Sequence, residues 1–209
     1  MLHFRRQSTT KGDDIMAVNL RELPTHFYTL DEYFALEGAG HARYEYWDGE
    51  IFCMSGGTEQ HGRISGNLYF ILRQQLSGRA CEAFTSEHPI STPTLPPYRY
   101  PDVSVACGNA RFEKIDKIDV LTNPTLIVEV LSPTTESRDR KEKRIAYQAI
   151  PSLAEYLLIT QDAPHITHFI RQDDNWQRSD YGDLKALVVL PSIECVLALS
   201  EVYQDIEFG

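Results

Sequence analysis

The sequence lacks any apolar run long enough to cross a membrane as a helix. Such a helix needs about 20 consecutive apolar residues, whereas the longest run here, residues 184–190, has the length of a strand and contains Lys185. Of the 209 residues, 42% are apolar and 24% are charged, which are the proportions of an ordinary globular protein. We therefore expect a soluble protein that makes no use of a membrane.

Positive charge is also scarce. The chain carries 20 Lys and Arg against 30 Asp and Glu, so its formal net charge is −10. A protein of this sign repels nucleic acid at long range, which argues against sequence-independent coating of phosphates. A site that handles phosphate through a metal ion stays open, because the ion supplies the missing positive charge.

Cysteine is rare and widely spaced. Cys53, Cys81, Cys107 and Cys195 form no C-x-x-C pair, whereas zinc and disulfide frameworks normally show closer spacing. We expect buried free thiols and a reducing, cytoplasmic environment.

The N-terminal segment lacks the apolar core of a signal peptide, since residues 1–14 are mostly polar. We expect residues 1–15 to be either a disordered extension or the result of a wrongly assigned start codon. Residues 16–209 are expected to form a single domain, a size that one hydrophobic core can serve.

Helix and strand signals alternate along the chain. Thr29 and Glu32 form a capping-box pattern, and Asp48-Gly49 is a tight hairpin turn between two short strands. A long amphipathic helix follows Thr58, and its apolar positions are Ile64, Leu68, Ile71, Leu72 and Leu76. A second helix is predicted at 137–150, and further strands at 81–84, 100–107, 125–131, 155–160, 165–171, 176–181, 184–190 and 196–199. The pattern predicts an α/β or α+β fold with one mixed β-sheet flanked by helices.

Three acids lie in apolar strand contexts, namely Glu45, Asp102 and Glu129. A carboxylate inside a sheet is costly unless a cation or hydrogen bonds compensate its charge. For Glu129 a functional role is favoured over a structural salt bridge. For Asp102 alone the two interpretations are balanced, because Pro-Asp is also a common strand-entry pair.

The predicted helix after Glu129 carries several cations. Lys143 and Tyr147 lie four residues apart on one of its faces, so that a lysine there could reach the end of the preceding strand. Judged by composition alone, Lys141, Lys143 and Arg144 are more typical of a solvated helix surface.

The histidines give weaker signals. His61, on the long helix, fits a surface position better than an approach to the acids. His165 and His168 point to opposite faces if their segment is a strand, which disfavours a zinc site. Neither a phosphate-binding glycine loop nor a serine-hydrolase elbow is present in the sequence.

The order of these motifs resembles the Uma-type family of restriction endonucleases, within the PD-(D/E)XK nuclease superfamily. The resemblance rests on Glu45-Tyr-Trp-Asp-Gly-Glu50, the helix with His61 and Asn67, Pro101-Asp102-Val-Ser-Val, and Glu129-Val-Leu-Ser-Pro-Thr-Thr followed by Asp139, Lys143 and Tyr147. It implies a restriction-endonuclease-like fold and a metal-dependent endonuclease that acts on DNA.

The resemblance also implies residue roles. Asp102 corresponds to the first acid of the superfamily motif, Glu129 to the second, and Glu45 to a supplementary acid. Mg²⁺ or Mn²⁺ prefers oxygen ligands, which Asp102, Glu129 and the backbone carbonyl of Val130 could supply.

One position departs from the superfamily motif, which places a lysine where this chain has Leu131. Lys143 is the best replacement, with Lys141 behind it. A homodimer is plausible for double-strand cleavage. The alternatives are a binding or assembly module that has lost catalysis and, more distantly, a metal-dependent hydrolase of another substrate.

Overall fold

The computed structural model describes residues 27–39, 43–47, 49–53, 57–94, 98–115, 118–133 and 136–208. The expected extension at residues 1–15 lies outside these ranges. The strands are β1 (Tyr44–Trp47), β2 (Glu50–Cys53), β3 (Cys81–Thr85), β4 (Ile90–Ser91), β5 (Tyr98–Arg99), β6 (Val103–Cys107), β7 (Phe112–Ile115), β8 (Ile118–Leu121), β9 (Leu126–Val130), β10 (Glu155–Ile159), β11 (Ile166–Gln172), β12 (Asn175–Tyr181), β13 (Leu187–Leu190) and β14 (Cys195–Ala198). The helices are α1 (Leu30–Gly38), α2 (Glu59–Gln75), α3 (Glu136–Arg138, Asp139–Lys143 and Arg144–Gln148 in succession) and α4 (Leu199–Val202).

A six-stranded mixed sheet forms the centre of the fold, in the order β12-β11-β10-β9-β6-β3. Strands β9 and β10 are parallel, and the other neighbours are antiparallel. The predicted α+β class with a mixed sheet is therefore confirmed. The expectation of one sheet only was wrong, because the described residues also form the hairpins β1-β2 and β13-β14 and the four-stranded sheet β5-β4-β8-β7.

The central strand β9 is buried on both faces, as its nearly continuous apolar sequence predicts. Val128 and Val130 join the core on the α2 side of the sheet. Ile127 and Leu131 join a second core, which includes Tyr147 of α3. Because side chains alternate along a strand, Glu129 lies on the α3 side.

Helix α2 packs through the predicted apolar face. Ile64, Leu68, Ile71, Leu72 and Leu76 are all buried. Thr58 caps the helix by accepting a hydrogen bond from the backbone N–H of His61 at 3.1 Å.

Helix α3 contains a π-helical turn over Asp139–Lys143, between two short α-helical pieces. Such turns insert an extra residue into a helix and are frequent at functional sites. The turn buries Asp139 and Lys143, whereas Lys141 is exposed.

The β1-β2 hairpin turns at Gly49, as predicted. Gly49 has φ +88°, and a Cβ atom at this position would lie 2.8 Å from the ring of Phe27. Glycine is therefore required both by the backbone conformation and by the close contact. Across the hairpin Glu45 pairs with Phe52, and Arg138 of α3 lies 3.9 Å above the Phe52 ring.

The expectation that all four cysteines are free was wrong. Strand register pairs Cys81 with Cys107 across β3 and β6, and the two form a disulfide. Spacing along the chain missed this pair because antiparallel pairing brings together residues 26 positions apart. Cys195 is a buried free thiol, as expected, and the side chain of Cys53 lies outside the description. The disulfide removes the thiol-based argument for a reducing compartment.

Among the helices in the described ranges, none is long and apolar enough to cross a membrane.

The packing of α2 gives a first prediction. Leu68→Ala should lower the free energy of unfolding by about 2–5 kcal/mol, the usual cost of a cavity at a buried leucine. Phe70→Ala on the same helix is a matched control, because Phe70 is 65% exposed and should change stability by less than about 0.5 kcal/mol. Urea unfolding of both variants measures the difference. Equal losses would mean that α2 is not packed on this face.

The disulfide gives a second prediction. Reduction of Cys81–Cys107 should lower the free energy of unfolding by about 2–4 kcal/mol, because the open chain regains conformational entropy. Urea unfolding with and without a reductant measures the change. The Cys81→Ser/Cys107→Ser variant is the control and should not respond to reductant. Four free thiols in the unreduced, denatured protein would show that the bond does not form.

Candidate active site

A buried ion cluster lies between β9 and α3. The ammonium Nζ of Lys143 is 2.9 Å from Glu45 Oε1, 3.2 Å from Glu129 Oε1 and 3.3 Å from Asp139 Oδ1. The lysine side chain is 4% exposed. One cation is thus shared by three carboxylates that are almost fully removed from water, which we call the Lys143 cluster.

Separate elements deliver the members of the Lys143 cluster. Glu129 comes from the α3-facing side of β9. Asp139 and Lys143 lie four residues apart in the π-helical turn of α3. Glu45 comes from β1, in the hairpin whose partner strand contacts α3 through Phe52.

Two tyrosines close the cluster on the α3 side. The hydroxyl of Tyr147 donates to Glu129 Oε1 at 2.7 Å, and that of Tyr156 donates to the backbone carbonyl of Asp139 at 3.1 Å. The two rings pack edge to face with centroids 5.4 Å apart. Burial and the neighbouring carboxylate of Glu129 raise the pKa of Tyr147 well above its ordinary value, so this hydroxyl serves as a hydrogen-bond donor.

Asp102 lies at the rim of the site, just before β6. Its Oδ2 accepts a hydrogen bond from the backbone N–H of Val130 at 2.7 Å, and its Oδ1 is 3.3 Å from Nε2 of His61. Its side chain is 17% exposed, compared with 5% for Glu129. The site therefore has a closed interior and a more open rim.

The imidazole of His61 reaches the rim from the first turn of α2. The contact with Asp102 raises the pKa of His61, burial opposes the rise, and a hydrogen bond with the backbone of Val130 adds to it. The favoured interpretation of His61 as a surface residue was wrong, because the start of α2 lies against the end of β9.

Burial and neighbouring charges shift the pKa values of both Glu129 and Lys143. Burial raises the pKa of Glu129 well above its ordinary value, the nearby acids raise it further, and only Lys143 opposes them among the principal causes. Burial works against the charged form of Lys143, but the carboxylates of Glu129, Glu45 and Asp139 outweigh it and raise the pKa of Lys143.

Acids predominate at the site. Four carboxylates, those of Glu45, Glu129, Asp139 and Asp102, lie close together. Lys143 contacts three of them, and the charges of Glu45 and Glu129 act on the buried Arg99. A divalent cation takes carboxylate oxygens as ligands and would weaken the repulsion between these acids, so the residues fit such an ion in ligand type.

The described residues contain no group of three or more His, Cys, Asp or Glu side chains with the arrangement of a metal centre. The predicted set of Asp102, Glu129 and the Val130 carbonyl contains only two such side chains. Asp102 and Val130 are in direct contact, while Oε1 of Glu129 is engaged by Lys143 and Tyr147.

Glu37 fixes the chain segments that carry Glu45 and Asp102. Its carboxylate accepts hydrogen bonds from the N–H of Tyr44, next to Glu45, and from the hydroxyl of Tyr100, two residues before Asp102. Burial raises the pKa of Glu37, and these hydrogen bonds lower it. Sequence reasoning missed this acid, because an acid near a helix end looks solvated.

The sequence-predicted acids and the lysine come together. Lys143 contacts both Glu45 and Glu129, and Asp102 is hydrogen-bonded to the N–H of Val130, the residue after Glu129. The exposed Lys141 is not part of the group. Asp139 and Tyr147 were named in the motif that carries the resemblance, and Tyr147 also as a residue on the same helix face as Lys143, but neither was given a role in the site.

His165 and His168 do not converge. Nε2 of His168 lies 2.5 Å from Glu155 in the interior, whereas Nε2 of His165 lies 3.4 Å from Asp180 at the surface.

Residues 30–200 match the model of the Uma2 family, described as "Putative restriction endonuclease". Two uncharacterized proteins of Synechocystis sp. are similar: slr1290 is 35% identical over 184 residues, which cover 85% of this chain and 92% of the relative, and sll1609 is 33% identical over 150 residues, which cover 72% and 84%.

A crystal structure of a putative nuclease belonging to DUF820, from Anabaena variabilis, shares the fold. Its TM-score is 0.66 at 20% sequence identity, with 84% of this chain and 97% of that chain covered. The predicted nuclease-like fold is thereby confirmed.

The Lys143 cluster gives a third prediction. Lys143→Met should lower the free energy of unfolding by about 3–5 kcal/mol, because it leaves buried carboxylates without their cation. Urea unfolding at low salt and without divalent cations measures the loss. Lys141→Met is the matched control on the exposed face and should leave stability nearly unchanged.

Adding Glu129→Gln to Lys143→Met should recover part of the loss, because one of the unpaired charges is removed. Equal stability of Lys143→Met and the wild-type protein would contradict the buried ion cluster.

Proposed function

Because the chain belongs to the Uma2 family, we propose that it is a metal-dependent endonuclease that hydrolyses phosphodiester bonds in DNA. Family membership and the shared fold support a nuclease-like function. The observation that carries the proposal is the acidic site itself. Three carboxylates contact Lys143, and a fourth, that of Asp102, accepts a hydrogen bond from the N–H of Val130 where β6 begins and β9 ends.

The proposed cofactor is Mg²⁺ or Mn²⁺, held by Asp102, Glu129 and the backbone carbonyl of Val130. When bound, the cation would supply the positive charge that makes a water nucleophilic and neutralises the phosphate. It would also offset the negative charge of these carboxylates, which repels the DNA backbone.

The chain's own residues then have separate roles. Asp102 is oriented by the N–H of Val130, which leaves Oδ1 directed to the rim. Lys143 favours the ionised form of Glu129 against the effect of burial. Its ammonium also provides fixed positive charge close to the reacting phosphate. Glu45 and Asp139 hold that ammonium in place.

A second candidate is a binding or assembly module with the nuclease fold and no catalysis. The burial of Lys143 favours it, because an ammonium that is 4% exposed and shared by three acids already has a structural role. For the nuclease, but not for the binding module, we also propose a cytoplasmic location. We further propose a homodimer related by a two-fold axis, which would suit double-strand cleavage.

A cleavage assay separates the two candidates. With Mg²⁺ or Mn²⁺ the wild-type protein should cut supercoiled plasmid, and Asp102→Asn should reduce the rate by about 100-fold or more, as the loss of a group that stabilises the transition state does. Asp180→Asn is the matched control, since Asp180 also contacts a histidine but lies outside the site. Mn²⁺ should raise the melting temperature of the wild-type protein and of Asp180→Asn but not of Asp102→Asn.

The lysine is tested in the same assay. Lys143→Ala should lower cleavage by about 100-fold or more, and Lys141→Ala should change it little. Folding of Lys143→Ala is checked by circular dichroism. If the folded wild-type protein binds DNA but neither cuts it nor responds to Mn²⁺, the binding module replaces the nuclease.

A further inference from the structure

His61 contacts the groups at which a cation is expected. Its Nε2 lies 3.3 Å from Asp102 Oδ1, and the backbone of Val130 is near enough to raise the pKa of the imidazole. Both residues belong to the oxygen-donor set proposed for the cation. The imidazole side chain is 22% exposed, so it lies at the boundary between the interior and the open rim.

The position of His61 is fixed by the start of α2. Thr58 accepts a hydrogen bond from the N–H of His61 at 3.1 Å, and its hydroxyl donates to Oε1 of the buried Gln161 at 2.5 Å. Gln161 follows β10, the strand parallel to β9. The first turn of α2 is therefore tied to the sheet end at which Val130 lies, and the imidazole is held over Asp102.

The distance of 3.3 Å between Nε2 of His61 and Oδ1 of Asp102 is suitable for two neighbouring ligands of one ion. In an octahedral site with ligands at about 2.1 Å, adjacent donor atoms lie roughly 3 Å apart. An imidazole nitrogen is a good ligand for transition metals such as Mn²⁺, whereas Mg²⁺ favours carboxylate, carbonyl and water oxygens.

We propose that Nε2 of His61 is a direct ligand of the divalent cation, beside Asp102 and the carbonyl of Val130, and that it makes the site prefer Mn²⁺ over Mg²⁺. This inference rests on the proposed metal-dependent function and adds a nitrogen donor to its oxygen ligands. Neutral imidazole binds the metal, so the ring gives up its hydrogen bonds to these oxygens and shares the ion with them.

The inference is tested by metal binding, without reference to cleavage. Mn²⁺ and Mg²⁺ affinities are measured by calorimetry on the full chain, and the nitrogen coupling to bound Mn²⁺ is measured by pulsed electron paramagnetic resonance. The variants are His61→Ala, His61→Gln, Asp102→Asn and His165→Ala. His165→Ala is the matched control, because His165 lies 3.4 Å from Asp180 in a similar pair.

In the wild-type protein bound Mn²⁺ should show coupling to an imidazole nitrogen. His61→Ala should remove this coupling and weaken Mn²⁺ binding by about 10–100-fold, with a smaller effect on Mg²⁺. His61→Gln can still donate a hydrogen bond to Asp102 but should also lose the coupling and the preference for Mn²⁺. His165→Ala should behave as the wild-type protein.

The outcomes distinguish two failures. If Mn²⁺ binds and Asp102→Asn abolishes binding, but His61→Ala retains both the affinity and the nitrogen coupling, then His61 is not a ligand and the proposed metal site stands. If the wild-type protein binds no Mn²⁺, or Asp102→Asn binds it unchanged, the metal site and the inference are both overturned. Circular dichroism and thermal unfolding of each variant exclude loss of the fold as the cause.

Discussion

The burial of one ammonium among three carboxylates is the constraint on which the site depends. Removing charged groups from water costs several kcal/mol per ion, and only close pairing and further hydrogen bonds offset that cost. Here Lys143 meets Glu45, Glu129 and Asp139 within 3.3 Å, and Tyr147 donates to Glu129. Three parts of the chain must therefore dock accurately: the β1-β2 hairpin, β9 and the π-helical turn of α3. An error in any of them would leave a buried charge unpaired.

The same constraint separates the interior of the site from its rim. The Lys143 cluster lies on the α3 side of the sheet, whereas His61 approaches from α2, the helix that packs on the opposite face. Asp102 and Val130 lie between them at the strand ends. The buried charge and the residues at the rim are thus joined through the backbone of β9. If the proposed cation binds at the rim, Lys143 would act on it without being exposed itself.

Sequence patterns predicted the features of the fold and site that depend on local residue types. The apolar periodicity of α2 predicted its buried face, and the acids in apolar strands led to Glu45, Asp102 and Glu129. Lys143 was reached only through the family resemblance, because composition alone favoured a solvated helix surface. The small sheet β5-β4-β8-β7 was missed because two of its strands contain only two residues each. The disulfide and the position of His61 depend on which strands and helix ends meet, and local sequence does not encode such long-range pairing. The π-helical turn was not predicted either, since its sequence is also typical of an α-helix.

The energetics of the cluster bear on the choice between nuclease and binding module. Apolar residues of similar volume can often replace a buried ion pair at little cost or with a gain in stability, so stability alone does not require four carboxylates around Lys143 and Val130. Burial and the other acids raise the pKa of Glu129 against the effect of Lys143, so keeping these carboxylates together has a cost. A scaffold gains nothing from that cost. A site that receives a divalent cation would gain from it, because the attraction of the ion for the carboxylates compensates the cost of keeping them together.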